Sequence, residues 1–383
     1  MTHSKAVPGL LRRINERAVL DAVRAHAPIS RAELARETGI SKPTISVALR
    51  ALAEDGLVRE TAHDPDRPHY GAVYYEADPE AALVLGVDFG ARFVRSAVCD
   101  LAGEVRAREE MRSRGSVEER VDALASTCRS LLRKSGLSAD LLEHAVVAVP
   151  AVVSPDDGRV SDADLPSPGA ADLRGLIERQ LDVPVTLEND VNLAAVAEQR
   201  HGVAHGVGDF AFLLVGAGLG AAVVLGGALH RGHNGAAGEL DAVRSGGRDD
   251  DDPCADALAV HAAELAPARE TRLEAPFEVR ELFAAARTGD PVGASVVEEA
   301  ARRIALHIVP VAATLDLPLV VLGGSVGANK ELLEPIRRLL GEWLPFPPRV
   351  EVTALGETAV LDGALADGLD VTLERIFERR VRS

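Results

Sequence analysis

Between Ser30 and Leu57 the chain reads SRAELARETGISKPTISVALRALAEDGL, two short stretches of helical spacing separated by Glu37-Thr38-Gly39-Ile40. A connection that short holds its helices at a steep angle, and it contains the glycine that such a turn favours. The segment therefore predicts a helix-turn-helix. Ser30 and Glu33 are spaced to close a capping box on the first helix, and Ser41 is placed to cap the second, with Pro43 tolerated in its first turn. In the second helix Ile45, Ala48, Leu49 and Leu52 recur at helical spacing and point inward, leaving Lys42, Thr44, Ser46 and Arg50 outward. With Ser41 at the helix start, these are the candidate DNA contacts, because a major groove offers phosphates at its edges and base donors and acceptors on its floor. The plainer alternative is a helical hairpin that only packs.

A chain of 383 residues is long for one core and suggests two or three domains. Its 42 Lys and Arg stand against 59 Asp and Glu. The balance is uneven: residues 1–70 carry 11 basic and 9 acidic side chains, about +2, leaving about −19 for the rest. Nucleic acid would be repelled by that remainder, so contact with it belongs at the front. The three cysteines, Cys99, Cys128 and Cys254, form neither a CxxC pair nor a disulfide framework, which suits a reducing cytoplasm. No apolar run has the length of a signal peptide or a membrane span.

Ahead of the helix-turn-helix, Leu10, Leu11, Ile14, Ala18, Leu20, Ala22 and Val23 punctuate a charged segment as an amphipathic helix does, ending near Ala27-Pro28. Behind it, Leu57–Thr61 and Ala72–Glu76 read as two strands of a wing whose polar tip brings Arg59, His63, Arg67 and His69 toward a backbone or minor groove. A solvated loop without contacts is the alternative for each of these residues. After Ala77-Asp78-Pro79 the pattern changes to buried strands over 82–90, 93–100 and from Glu104, a helix at about 117–134, a strand at 145–149, a helix at about 171–181 and a strand at 183–187. Phe210–Val215, a glycine turn and Ala221–Leu225 begin the theme again, which predicts a duplicated α/β body with two lobes facing a cleft. The last third reads as mostly helical, except for the apolar strand Leu319–Leu322 ending at Gly323-Gly324, beyond which ligands gather in such sheets. Asp249–Asp252 is a solvated acidic loop rather than a metal site. The domain expectation is a winged helix-turn-helix over 1–78, a first lobe over 79–195 and a second over 196–383.

These pieces carry a resemblance that spans nearly the whole chain. Gly86-Val87-Asp88-Phe89-Gly90, Leu187-Glu188-Asn189-Asp190-Val191-Asn192, Gly218-Leu219-Gly220, Arg231-Gly232-His233-Asn234-Gly235-Ala236-Ala237-Gly238-Glu239 and Val321-Leu322-Gly323-Gly324 follow one another as in the ROK family of repressors and sugar kinases. The chain resembles its repressor branch: a winged helix-turn-helix fused to a two-lobed domain of the actin and hexokinase type. In the family's kinases the pair matching Asn189 and Asp190 grips sugar hydroxyls, and the aspartate deprotonates the attacking hydroxyl. Glu239 matches another sugar-contacting carboxylate. The resemblance thus implies Asn189, Asp190 and Glu239 as effector contacts, although Asn189 and Asp190 also sit where a helix cap belongs.

Departures from the kinase pattern argue against phosphoryl transfer. Where the kinases read Asp-x-Gly-Gly-Thr, this chain has Asp88-Phe89-Gly90-Ala91-Arg92; where they read Gly-Thr-Gly, it has Gly216-Ala217-Gly218. Two phosphate-binding hydroxyls are missing, and phosphoryl transfer depends on such donors. Arg92 is expected in a salt bridge with a neighbouring acid, or else as an anion contact. After Gly238-Glu239 the family's Gly-His pair and cysteine-rich segment are absent. Cys254 alone cannot build a tetrahedral zinc site, so no metal or other cofactor is expected. The histidine normally contacts sugar as well, so its absence weakens the usual monosaccharide specificity. The expectation is a non-enzymatic transcriptional regulator, most simply a repressor. It would bind a palindromic operator in double-stranded DNA as a homodimer or homotetramer, with a sugar or sugar phosphate as effector. An ATP-dependent sugar kinase with a regulatory head is the rival.

Overall fold

The computed structural model describes residues 8–62, 72–161, 172–240 and 251–382. The front of the chain is a winged helix-turn-helix. Helix α1 (Pro8–His26) leads through the two-residue strand β1 (Ile29–Ser30) into α2 (Arg31–Thr38) and α3 (Lys42–Glu54), followed by β2 (Val58–Thr61) and β3 (Tyr74–Ala77). Local chemistry sets these boundaries as the sequence requires. The Ser30 amide donates to Glu33 at 2.9 Å while the Ser30 hydroxyl accepts from the Glu33 amide, closing the box at the start of α2. Gly39 ends that helix at φ +68°, a conformation glycine adopts without steric cost. Ile45, Ala48, Leu49 and Leu52 are all buried. Strand β3 lies between β1 and β2, antiparallel to both. The tip residues His63, Arg67 and His69 lie outside the described residues.

The body contains two sheets of the same design. The first comprises β4 (Leu83–Phe89), β5 (Phe93–Asp100), β6 (Val105–Arg112), β7 (Leu142–Val149) and β8 (Val185–Asn189), with α4 (Val117–Ser135) and α5 (Leu173–Leu181) on one face. Its order is β6-β5-β4-β7-β8, antiparallel across the first three strands and parallel across the last three. Helix α6 (Asp190–His201) then leads to β9 (Phe210–Val215), β10 (Leu219–Leu225) and β11 (Ala228–Leu229), and to α7 (Ala255–Leu265), α8 (Val279–Arg287) and α9 (Pro291–Leu315). Strand β12 (Leu319–Gly323), α10 (Gly324–Gly327), α11 (Leu333–Trp343), β13 (Arg349–Val352) and α12 (Ala359–Arg382) complete the chain. The second sheet runs β11-β10-β9-β12-β13 with the same change from antiparallel to parallel, so the duplication expected from the sequence is real. Strands β1, β11 and β13 were not expected. All three are short, and the alternation in β13, Arg349-Val350-Glu351-Val352, extends over only four residues, too few to mark a strand by itself.

Helix α6 lies between the sheets. Val191, Ala194 and Ala195 pack with β9 and β10, while Leu193 packs with Val146 and Ala148 of β7 and with Ala364 of α12. A helix buried on opposite faces needs small side chains, and Ala194, Ala195 and Ala197 provide them. The approach to α12 is equally close, because a Cβ at Gly363 would collide with the Leu193 carbonyl. Although α12 follows the second lobe in sequence, it packs on β4 and β5 of the first sheet through Leu361, Leu365 and Leu369. Its last turns then enter the core of the head: Leu373 and Phe377 join Val19, Leu20, Leu34, Leu49 and Tyr75 in one buried cluster. The joint is reinforced by Arg24, whose Nε donates to the Leu101 carbonyl at 2.8 Å, and by Asp370, which pairs with Arg200 of α6 and, at 3.6 Å, with Arg17 of α1. Among the described residues no helix is long and apolar enough to cross a membrane.

Leu373→Ala removes a fully buried side chain from this joint. It should cost about 2–5 kcal/mol and let the head melt before the lobes, seen as a separate early transition in denaturant. A single unshifted transition would contradict the shared core.

Candidate functional site

Two surfaces carry chemistry. The first is the outward side of α3, where Lys42, Pro43, Val47 and Arg50 are exposed. The hydroxyl candidates are engaged by the helix itself. Ser41 accepts from the Thr44 amide and its hydroxyl lies 2.8 Å from that of Thr44, while Ser46 donates to the Lys42 carbonyl at 3.0 Å. Lys42 and Arg50 form no ion pair among the described residues. The N-terminus of α3 adds partial positive charge beside them. Arg59 on the wing is held instead by Glu76 at 2.8 Å and by Asp78, so a phosphate would have to displace these acids. Val47 was missed by the sequence reading, which followed polar residues; its spacing from Pro43 and Arg50 is the signal that places it on the same ridge.

The second surface is the cleft at the start of α6, where Asp190 lies among acids from both lobes. Asn189 caps the helix: its Oδ1 accepts from the Val191 amide at 2.9 Å and the Asn192 amide at 3.2 Å, and its Nδ2 donates to the Ala151 carbonyl at 3.2 Å. That leaves one amide hydrogen for a ligand. Asp190 accepts from the Val191 amide at 2.8 Å. Burial, with the carboxylates of Asp88 and Glu239 close by, pushes its pKa up to about 7. Asp88 is raised by burial too, although Arg95 offsets this at 3.3 Å. Of the three residues that the family resemblance grouped, Asn189 and Asp190 adjoin at the helix start and the Glu239 charge acts on Asp190.

The loop that brings Glu239 into place crosses the cleft. A Cβ at Gly235 would strike the Val153 carbonyl of the first lobe, and one at Gly238 the Ala221 carbonyl of the second; both glycines have positive φ, +80° and +93°. The loop is tied down by an ion pair the sequence reading did not single out. Arg231 Nε donates to Glu188 at 2.6 Å, and Glu188 also accepts from the Asn189 amide at 2.9 Å and the Asn192 side chain at 2.8 Å. Asp367 of α12 lies near this pair, and burial with the Glu188 charge pushes its pKa up to about 6. Arg92 is exposed and forms no salt bridge among the described residues, contrary to the neighbouring-acid expectation. Asp251 of the acidic loop pairs with Arg302 at 3.1 Å; Asp249 lies outside the described residues, as does the segment just after Leu240.

Residues 84–368 match the ROK family, and residues 9–67 match the MarR family. The chain belongs to the ROK family. It is 24% identical to the xylose repressor of Caldicellulosiruptor bescii over 93% of this chain and 96% of that one. It is 27% identical to the glucokinase of Streptomyces coelicolor over 74% of this chain and 96% of that one. Among solved structures, a ROK family transcriptional regulator described as a homologue of the E. coli MLC protein shares the fold over 96% of this chain and 99% of its own, with a TM-score of 0.74 and 22% identity. A ROK glucokinase from Streptomyces griseus, in complex with glucose and AMPPNP, matches 76% of this chain and 100% of its own, with a TM-score of 0.63 and 25% identity. The ROK portion common to repressors and kinases is thus the two-lobed body, and the MarR-type portion is the head.

The pKa of Asp190 has a consequence for stability. A carboxyl that is harder to ionise in the folded state makes stability fall as pH rises from about 4 toward 7. Asp190→Asn removes that loss and should stabilise the protein by roughly 1–3 kcal/mol at pH 8, with little effect at pH 4. Thermal melts at both values test this; equal shifts would contradict the buried, acid-flanked placement.

Proposed function

We propose that this ROK protein is a sequence-specific transcriptional repressor of carbohydrate genes, acting in the cytoplasm as a homodimer or homotetramer on a palindromic operator. Its body serves as a sugar sensor and not as an enzyme. The observation that carries this reading is the continuous packing from cleft to head. Helix α6 starts at Asp190 and packs lengthwise on α12, and the last turns of α12 join the buried cluster that also holds Ile45, Ala48 and Leu49 of α3. A kinase has no use for a cleft joined to a DNA-reading helix, whereas a ligand-controlled repressor requires it. The repressor named among the relatives extends over nearly the whole chain, head included, which supports the same reading.

Asp190, Glu239 and the remaining Asn189 hydrogen are the groups that hold the sugar, by accepting from and donating to its hydroxyls. Ser41, Lys42, Thr44, Ser46 and Arg50 line or support the DNA face, and Arg67 is retained as a wing contact. A sugar that fits one arrangement of the lobes better than the other shifts the population toward it. Movement at α6 reaches the head through the Arg200–Asp370–Arg17 bridge and the Leu373–Phe377 contacts, altering how the paired recognition helices are spaced. The protein should therefore bind a two-fold duplex site with a steep salt dependence. Lys42→Ala combined with Arg50→Ala should weaken that binding roughly tenfold or more and flatten the salt slope by about one unit per lost phosphate contact. Unchanged affinity in a fluorescence-anisotropy titration would remove α3 from the interface.

One observation favours the kinase reading: a carboxylate with pKa near 7 is suited to act as a general base. Against it stand the missing phosphate-loop hydroxyls at Arg92 and Ala217 and the capture of Asp88 by Arg95. An ADP-release assay across hexoses, pentoses and amino sugars should give no turnover above background; turnover that disappears in Asp190→Asn would reverse the assignment.

A further inference from the structure

Resting on the regulator reading, we infer that Val47 is a specificity-determining residue that reads a thymine methyl group on the floor of the operator's major groove. Helix α3 buries five apolar side chains, Ile45, Ala48, Leu49, Ala51 and Leu52, yet leaves Val47 58% exposed at its middle. Val47 lies one turn after Pro43 and one turn before Arg50, on the exposed ridge these three share. Because Ser41, Thr44 and Ser46 direct their hydroxyls to one another or to the helix backbone, few neutral hydrogen-bonding groups remain on this face. Lys42 and Arg50 are left to engage phosphate or guanine, and neither selects an A·T pair. The thymine C5-methyl is the apolar feature of unmodified DNA in the major groove. A β-branched side chain presents two methyl groups to it at little entropic cost, since its χ1 is already restricted in a helix.

The rival occupant of this surface is a second copy of the chain, because Leu11 of α1, 51% exposed, borders the same shallow hollow with Pro43, Val47 and Ala48. Charge favours the duplex: Lys42 and Arg50 flank Val47 on either side, complementing phosphate and opposing a like-charged copy.

The test begins with selection of bound sequences from a random duplex pool by the full-length protein. Each thymine of the selected half-site is then replaced in turn by deoxyuridine, which removes only the methyl group. At one position per half-site the natural protein should lose about fourfold in affinity, the worth of one buried methyl-sized group. Val47→Ala should lose a similar factor on the thymine duplex and show no further loss on the deoxyuridine one. Equal sensitivity of both proteins at every position would overturn the inference. So would a Val47→Ala protein whose only change is a smaller sedimenting species without DNA, since the ridge would then join copies. If the pool yields no enriched sequence, the regulator reading itself fails; if it yields one that is indifferent to deoxyuridine, only the role of Val47 does.

Discussion

The cap that Asn189 places on α6 governs the rest of the molecule. The strand β8 ends and the helix begins at that residue, so its side-chain oxygen accepts from the Asn192 amide and shares the Val191 amide with Asp190, satisfying helix-start donors in a buried region. The same cap fixes the direction in which α6 runs between the two sheets. Because both faces of that helix are covered, the alanines along it leave no room for growth, and a larger side chain would have to push the lobes apart. The start of α6 and much of the contact between the lobes are therefore set by one helix and one short side chain.

Acid concentrates at that helix start, and the surrounding structure determines what the acid does. Glu188 is neutralised by Arg231 and saturated with hydrogen bonds, and Asp88 is drawn toward Arg95. Among the described residues Asp190 pairs with no cation, and burial beside Asp88 and Glu239 pushes its carboxyl up to about 7. In a kinase such a group would work as a base on a hydroxyl aimed at phosphate; here the loops that would cradle phosphate present Ala91, Arg92 and Ala217. What remains is a group of carboxylates around the start of α6.

Much of this was legible in the residues. The two caps of the head, the inward face of α3 and the repeated strand and glycine-turn pattern follow from local spacing, which a linear chain displays directly, whereas the grouping of Glu239 with Asn189 and Asp190 came from the family resemblance. The features that escaped depend on the third dimension. Strand β13 alternates polar and apolar residues over only four positions, too short a run to stand out. Glu188 and Arg231 are ordinary charged residues until folding joins them across the cleft. Val47 is the exception, since its spacing already sets it on the outward ridge with Pro43 and Arg50 and only its apolar character hid it. Least visible was the destination of α12: Leu373 and Phe377 repeat the spacing of any amphipathic helix, and nothing in that spacing names the DNA-binding head as the surface they cover.

That destination bears on how the protein is made. A ribosome releases the recognition helix early, but Leu373 and Phe377 emerge only after both lobes, so the module waits for the whole two-lobed body before its interior is closed. A message cut short would yield a head lacking part of its hydrophobic floor. Such a fragment would be a poor competitor for the operator, and occupancy of the gene would be reserved for chains that carry the sensor along with the reader.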